Sequence, residues 1–194
     1  MIGWMQNWDS CAIREEGSKW AGQMSCPREI FLKDGRLWQR PLAEFLQAEK
    51  IDSQFSNVDL KNGRISLDGV SGRVLFLKIA VRPESDCNLW SMRLAEGGGF
   101  FVEIAYRIRE RTLSIDRSRS GSRRAVAHCK TCTILKNSAE LSLEIVLDKN
   151  SAEIFINGGE QTMTATFYTP QSSSGISFFA DGTAKMDISK SRIF

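Results

Sequence analysis

An all-β chain, folded as an antiparallel β-sandwich of two sheets, is the architecture this sequence predicts. Three observations carry that expectation. From about residue 52 onward, apolar runs at 73–81, 100–108, 112–116, 125–135 and 176–180 are separated by clusters of Gly, Asn, Asp, Ser and Pro. The spacing of roughly 8–12 residues, with no helical segments between, is that of consecutive antiparallel strands. The stretch Leu141 to Thr164, finally, reads as two hairpins in succession.

Taken in order, residues 1–40 differ from the rest of the chain. Trp4, Trp8, Trp20 and Trp38 are four of its five tryptophans, set among Gly, Asn and Gln. A tryptophan offers a large apolar body with one donor, so this density suits a ligand-lining surface, a domain interface or the edge of a core. Met1 to Met5 has no lead-in turn, so the chain is expected to open inside a strand. Pro41 to Lys50 predicts the one helix: Leu42, Phe45, Leu46 and Glu49 follow the i, i+3, i+4, i+7 spacing, and Pro41 takes the first position, where its missing N–H costs nothing. The runs Val74–Val81 and Phe100–Tyr106 are apolar on both faces in part, as strands covered on each side would be.

In the hairpin stretch, Leu141, Leu143, Ile145 and Leu147 alternate with Ser142, Glu144, Val146 and Asp148, which sets four aliphatic side chains on one face. Asp148 to Ser151 supplies a turn, since Asn and Asp tolerate left-handed dihedrals. Ile154 and Ile156 resume the alternation, and Asn157-Gly158-Gly159 marks a second turn of the type that matches strand twist. The strand from Glu160 to Tyr168 offers Met163, Ala165 and Phe167 to the interior. On this reading Glu144, Asp148, Glu153 and Glu160 face solvent or sit in turns.

At 194 residues, with 42% hydrophobic and 25% charged residues, the chain has ordinary globular composition and length enough for a real core. A formal charge of +3 is too small to argue for a nucleic-acid partner. No run approaches the ~18 apolar residues of a membrane span, and no basic-then-apolar leader opens the chain. Five cysteines, Cys11, Cys26, Cys87, Cys129 and Cys132, are an odd number in a chain too long to need staples. They favour free thiols and a cytoplasmic location.

Little in the chain offers chemistry. His128-Cys129-Lys130-Thr131-Cys132 has soft ligands but no second pair, and residues three apart in a strand point to opposite faces, so no metal is expected there. Arg117 to Arg124 is a basic stretch centred on Gly121; it reads as a solvated loop before a phosphate site. Gly97-Gly98-Gly99 lacks the strand-to-helix setting of a phosphate cradle and reads as a turn. Among Glu103, Asp116, Glu144, Asp148, Glu153 and Glu160 no pair stands out for the two-carboxylate work of glycoside hydrolysis.

Three stretches together resemble the C-terminal part of glycoside hydrolase family 32, the family of invertases, sucrose-6-phosphate hydrolases and fructanases. They are Ile2 to Trp8 with Trp20–Glu29 and Gly35–Pro41, then Leu113–Gly121, then Leu143–Thr164; in this order they span nearly the whole chain. The resemblance implies a remnant of a five-bladed catalytic propeller over 1–40, a linker helix over 41–50 and a C-terminal sandwich over 51–194. It implies that the chain is a piece of a β-fructofuranosidase-type enzyme acting on sucrose, sucrose 6-phosphate or fructan. That family's catalytic acids come from three earlier motifs, Trp-Met-Asn-Asp-Pro-Asn-Gly, Arg-Asp-Pro and Glu-Cys, none of which occurs here; Arg82 to Asp86 has the wrong order for the second. So no catalytic residue, metal or cofactor is expected in this chain. Trp4 matches the tryptophan at the rim of the fructose pocket, with Asn7 and Trp8 as neighbouring substrate-binding candidates. The expected partner is the N-terminal propeller of the same enzyme. The rival expectation is a carbohydrate-binding or oligomerisation module, a homo-oligomer being one product, with Trp90 as the sandwich tryptophan available to stack on a sugar.

Overall fold

The computed structural model describes residues 1–5, 22–46, 50–121, 127–136 and 138–193. Among these residues it contains twelve strands and one short helix. A two-stranded hairpin, β1 (Arg28–Lys33) and β2 (Arg36–Pro41), comes first. Residues 1–5 run antiparallel beside it, with Trp4 bridged to Met24 and the Arg28 N–H donating to the Met1 carbonyl at 2.9 Å.

The helix, α1 (Ala43–Leu46), is shorter than the pattern over 41–50 predicts within the described residues. Pro41 closes β2 opposite Arg28 instead of opening the helix. A proline is tolerated at the end of an edge ladder because no N–H is required of it there.

Ten strands then form one antiparallel sheet folded over on itself: β3 (Lys50–Ile65), β4 (Leu75–Pro83), β5 (Leu89–Gly97), β6 (Phe100–Arg107), β7 (Thr112–Asp116), β8 (Cys129–Thr133), β9 (Leu141–Asp148), β10 (Ser151–Ile156), β11 (Gln161–Thr166) and β12 (Gly175–Arg192). The order is β11-β10-β9-β4-β12-β5-β6-β7-β8, with β3 on the other edge of β12. The two layers of the expected sandwich are therefore continuous. The first half of β12 pairs with β5 and the second half with β4, so this strand turns the corner between them.

Gly182 makes that corner. The register with β3 slips between Ala180 and Thr183, and Gly182 has φ +95°. A side chain on it would run into the Asp86 carbonyl and the Cys87 Cα. Only glycine combines that dihedral with such a close approach. The Asn62 side-chain oxygen accepts the Gly182 N–H at 2.8 Å, which satisfies the donor that the slip in register frees.

The outer strands of the two layers nearly close the sheet. Gln161 of β11 donates to the Thr133 carbonyl at 2.8 Å, Lys130 of β8 donates to the Thr164 carbonyl at 3.0 Å, and Cys132 lies 3.5 Å from the Met163 sulfur. Between the layers sits one large apolar core that includes Trp90, Leu94, Ile104, Leu143, Ile154 and Phe178. The hairpin stretch from the sequence forms β9, β10 and β11, at one end of the sheet. Its four predicted inward residues, Leu141, Leu143, Ile145 and Leu147, all enter the core.

Candidate functional site

β10 is buried along its whole length, on both faces. Ala152, Ile154 and Ile156 face the inter-layer core, as alternation requires. Phe155 joins a second, smaller cluster with Cys26, Phe76, Val146 and Ile193, against which Leu46 of α1 packs. This cluster is where the N-terminal hairpin and helix settle on the outer face of the sheet.

Glu153 lies on that covered face and is 3% exposed, the one buried carboxylate among the described residues. This overturns its expected solvent-facing position. The reason is tertiary: the outer face of β10 is roofed by residues far away in sequence. An uncompensated carboxylate there would be prohibitively costly, and the structure compensates it fully. The Cys26 N–H donates to Oε1 at 2.6 Å, and the Arg28 guanidinium donates to Oε2 through both Nε and Nη2. Arg28 is itself buried, and it also donates to Gln39 Oε1 at 2.9 Å and Thr164 Oγ1 at 2.8 Å while lying over the Phe155 ring. Charge-assisted, forked hydrogen bonds of this kind fix orientation as well as adding energy.

The thiol of Cys26 shares the environment. Burial first, and then the Glu153 charge, push it up to about 12. It is therefore a neutral, inert thiol at ordinary pH.

A few residues away the tip of the β10–β11 hairpin docks on β2. Asn157 and Gly158 both have positive φ, as the Asn-Gly signal predicts. The Gly159 carbonyl accepts the Gln39 N–H at 2.9 Å, and any side chain at Gly159 would collide with the Gln39 backbone. Arg36 reaches Glu160 at 3.3 Å across the same seam. The Arg28–Glu153 pair and the Gly159 contact thus join the hairpin of residues 28–41 rigidly to the ten-stranded sheet.

Trp4 lies in the N-terminal unit, bridged to Met24. It is 49% exposed, and Met1, Ile2, Met24, Ile30, Leu32 and Leu37 are exposed in the same unit. Asn7 and Trp8 lie outside the described residues. Trp90, the candidate for stacking a sugar on a sheet face, is 0% exposed and belongs to the core between the layers. That corrects the expectation: β5 points its indole inward, and no ligand reaches it.

The other constellations resolve plainly. Arg117 donates to the Thr166 carbonyl at 2.7 Å and to the Ala127 carbonyl at 3.0 Å, and burial lowers its pKa. It is a tie across the closing seam rather than part of a solvated loop; Arg123 and Arg124 lie outside the described residues. Cys129 is exposed while Cys132 turns toward Met163, so the two thiols diverge. Among the described residues no group of three His, Cys, Asp or Glu side chains stands close enough to hold a metal ion.

Sequence reasoning missed the Arg28–Glu153 junction. One signal was present. Phe155 has the same parity as Glu153, and a large aromatic on the nominally polar face of a strand indicates that this face is covered too.

Comparison with known proteins accounts for this arrangement. Residues 43–193 match the model of "Glycosyl hydrolases family 32 C terminal", and residues 1–41 match "Glycosyl hydrolases family 32 N-terminal domain". The raffinose invertase of Escherichia coli is 29% identical over 186 residues, covering 93% of this chain and 36% of that protein. A probable sucrose-6-phosphate hydrolase of Vibrio cholerae is 30% identical over 182 residues, covering 91% of this chain and 30% of that protein. The exo-inulinase of Aspergillus awamori superposes with a TM-score of 0.86 at 19% identity, over 100% of this chain and 40% of its own. The chain spans about a third of the length of the curated relatives it matches. With its C-terminal model matching most of the sequence, the chain belongs to glycosyl hydrolase family 32 and carries that family's C-terminal β-sandwich domain.

Proposed function

We propose that this chain serves a β-fructofuranosidase-type hydrolase of sucrose or sucrose 6-phosphate as its structural C-terminal module. In that reading residues 1–40 belong to the last part of a catalytic propeller, 41–50 link, and 51–194 form the sandwich that holds the propeller. The observation that carries it is the buried Arg28–Glu153 pair, which locks a strand hairpin of the N-terminal unit onto the sandwich. Retaining hydrolysis needs two carboxyl groups about 5–5.5 Å apart, and Glu153 has an arginine where its partner would stand.

Trp4 is proposed as the ring on which a fructosyl group rests once the propeller is complete; its exposure and its place beside Met24 support this. Asn7 and Trp8 complete the candidate set. The four free thiols among the described residues favour a cytoplasmic location.

The test is to assay reducing-sugar release from sucrose by the 194-residue chain alone and by the same chain fused behind the propeller of a relative. The reading requires no activity from the chain alone and activity from the fusion. It also requires the fusion to lose catalytic efficiency on Trp4→Ala at unchanged thermal stability. Hydrolysis by the chain alone, above a heat-killed control, overturns the structural role.

A further inference from the structure

The segment 23–28 is hydrogen-bonded on both of its edges. On one edge it is the strand partner of residues 1–5. The Met5 N–H donates to the Gln23 carbonyl at 2.9 Å, the Ser25 N–H to the Gly3 carbonyl at 2.8 Å and the Arg28 N–H to the Met1 carbonyl at 2.9 Å. The Gly3 N–H donates to the Ser25 hydroxyl at 2.9 Å, and Trp4 sits inside this short ladder, opposite Met24. On the other edge the Cys26 N–H donates to Glu153 Oε1 at 2.6 Å. Successive N–H groups of an extended chain point to opposite edges, so the Glu153 carboxylate stands where the carbonyl of a further strand would.

Glu153 holds this segment at two points. Oε1 takes the backbone of Cys26, and Oε2 takes both Nε and Nη2 of Arg28. Two fixed points set the direction of a strand as well as its position. Cys26 is two residues from Met24, about 7 Å along an extended chain. Trp4 itself is 49% exposed, so packing does little to hold it and the ladder carries its placement.

We infer that Glu153, a residue of the sandwich, is a positioning residue for substrate: through 23–28 it sets where the Trp4 ring meets the fructosyl group. The inference rests on the role proposed above for Trp4. It gives one sandwich side chain a part in the affinity of the pocket beyond joining two units together. A ring stacks on a sugar alike in the ground state and the transition state, so a displaced Trp4 raises KM and leaves kcat in place.

A double-mutant cycle in the fusion behind a relative's propeller separates this from a merely structural role. Glu153→Gln keeps the volume and one acceptor oxygen but loses the charge that holds Arg28. It is expected to raise KM for sucrose about tenfold, the loss of roughly one ring-stacking contact, with kcat nearly unchanged. In a Trp4→Ala background the same substitution should move KM by less than about twofold, because the residue it acts through is gone. Glu153→Asp, which keeps the charge and shortens the reach by one methylene, is expected to show the same dependence on Trp4 and serves where the Gln variant fails to fold. Gly182→Ala, a strain elsewhere in the sandwich, should act on KM equally with and without Trp4. The 194-residue chain alone gives a readout independent of catalysis: amide hydrogen exchange at Ser25 and Met5 should quicken in the Glu153 variants by more than in Gly182→Ala. Equal effects of the Glu153 variants in both Trp4 backgrounds overturn the inference, as does unchanged exchange at Ser25 and Met5. So does a Gly182→Ala effect that vanishes with Trp4 in the same way. An inactive fusion, or one indifferent to Trp4→Ala, removes the role of Trp4 and this inference with it.

Discussion

Glu153 is held by three donors from two residues, and its burial makes those contacts indispensable to one another. Removing one partner leaves a buried charge alone, which costs about 3–5 kcal/mol. Glu153→Ala and Arg28→Ala should each lower the unfolding free energy read from urea denaturation by that much, and the double change to Leu and Met should recover most of the loss. Single variants within about 1 kcal/mol of the parent would show the pair to be solvated. Cys26 adds a pH dependence. Its thiol ionises near the ordinary 9.0 in the unfolded chain but only at about 12 in the folded one. Between those values the folded state holds the extra proton. Stability is therefore complete below pH 9 and falls as pH rises toward 12, by up to about 1.4 kcal/mol per pH unit. Comparing the alkaline limbs of the parent and Cys26→Ala isolates this contribution, and the variant should decline less steeply.

Among the elements, β12 has the most to satisfy, since it pairs with β3 from Phe178 to Arg192 and passes from β5 to β4 on its other side. The corner at Gly182 lets one strand belong to both layers. Gly182→Ala combines an unfavourable dihedral with a collision against backbone, which does not yield as a flexible side chain would. It should destabilise by more than the roughly 1 kcal/mol of an ordinary Gly-to-Ala strain at positive φ, visible as a lowered denaturant midpoint. A change within a few tenths of a kcal/mol would show that the corner relaxes freely. The strand pattern of β9 was legible in the sequence because its four aliphatics report a single buried face. The two-faced burial of β10 was not, because alternation describes one strand and says nothing about what covers its other side.

For the whole molecule, the distribution of apolar surface is uneven. Of ten large exposed hydrophobics among the described residues, seven lie in the N-terminal unit: Met1, Ile2, Trp4, Met24, Ile30, Leu32 and Leu37. Leu32 and Leu37 are cross-strand partners in the hairpin and share one face. Contiguous apolar surface of this kind marks an interface. Leu32→Lys with Leu37→Lys should reduce both dye binding and concentration-dependent association of the chain, as read by fluorescence and sedimentation, with little change in melting temperature. Unaltered association would place the sticky surface elsewhere.

By itself the sequence determined the class of fold and the hairpins of 141–164 with their Asn-Gly turn, because period-two patterning and turn chemistry are local properties that short segments carry within them; the family was legible only as a resemblance of three stretches to known members. Only the tertiary structure decided that the two layers are one sheet turned at Gly182. The same holds for the inward position of Trp90 and the ion pair of Glu153 and Arg28. Each of these depends on which distant segment arrives to cover a face, and burial of that kind comes from long-range packing, which no window of adjacent residues records.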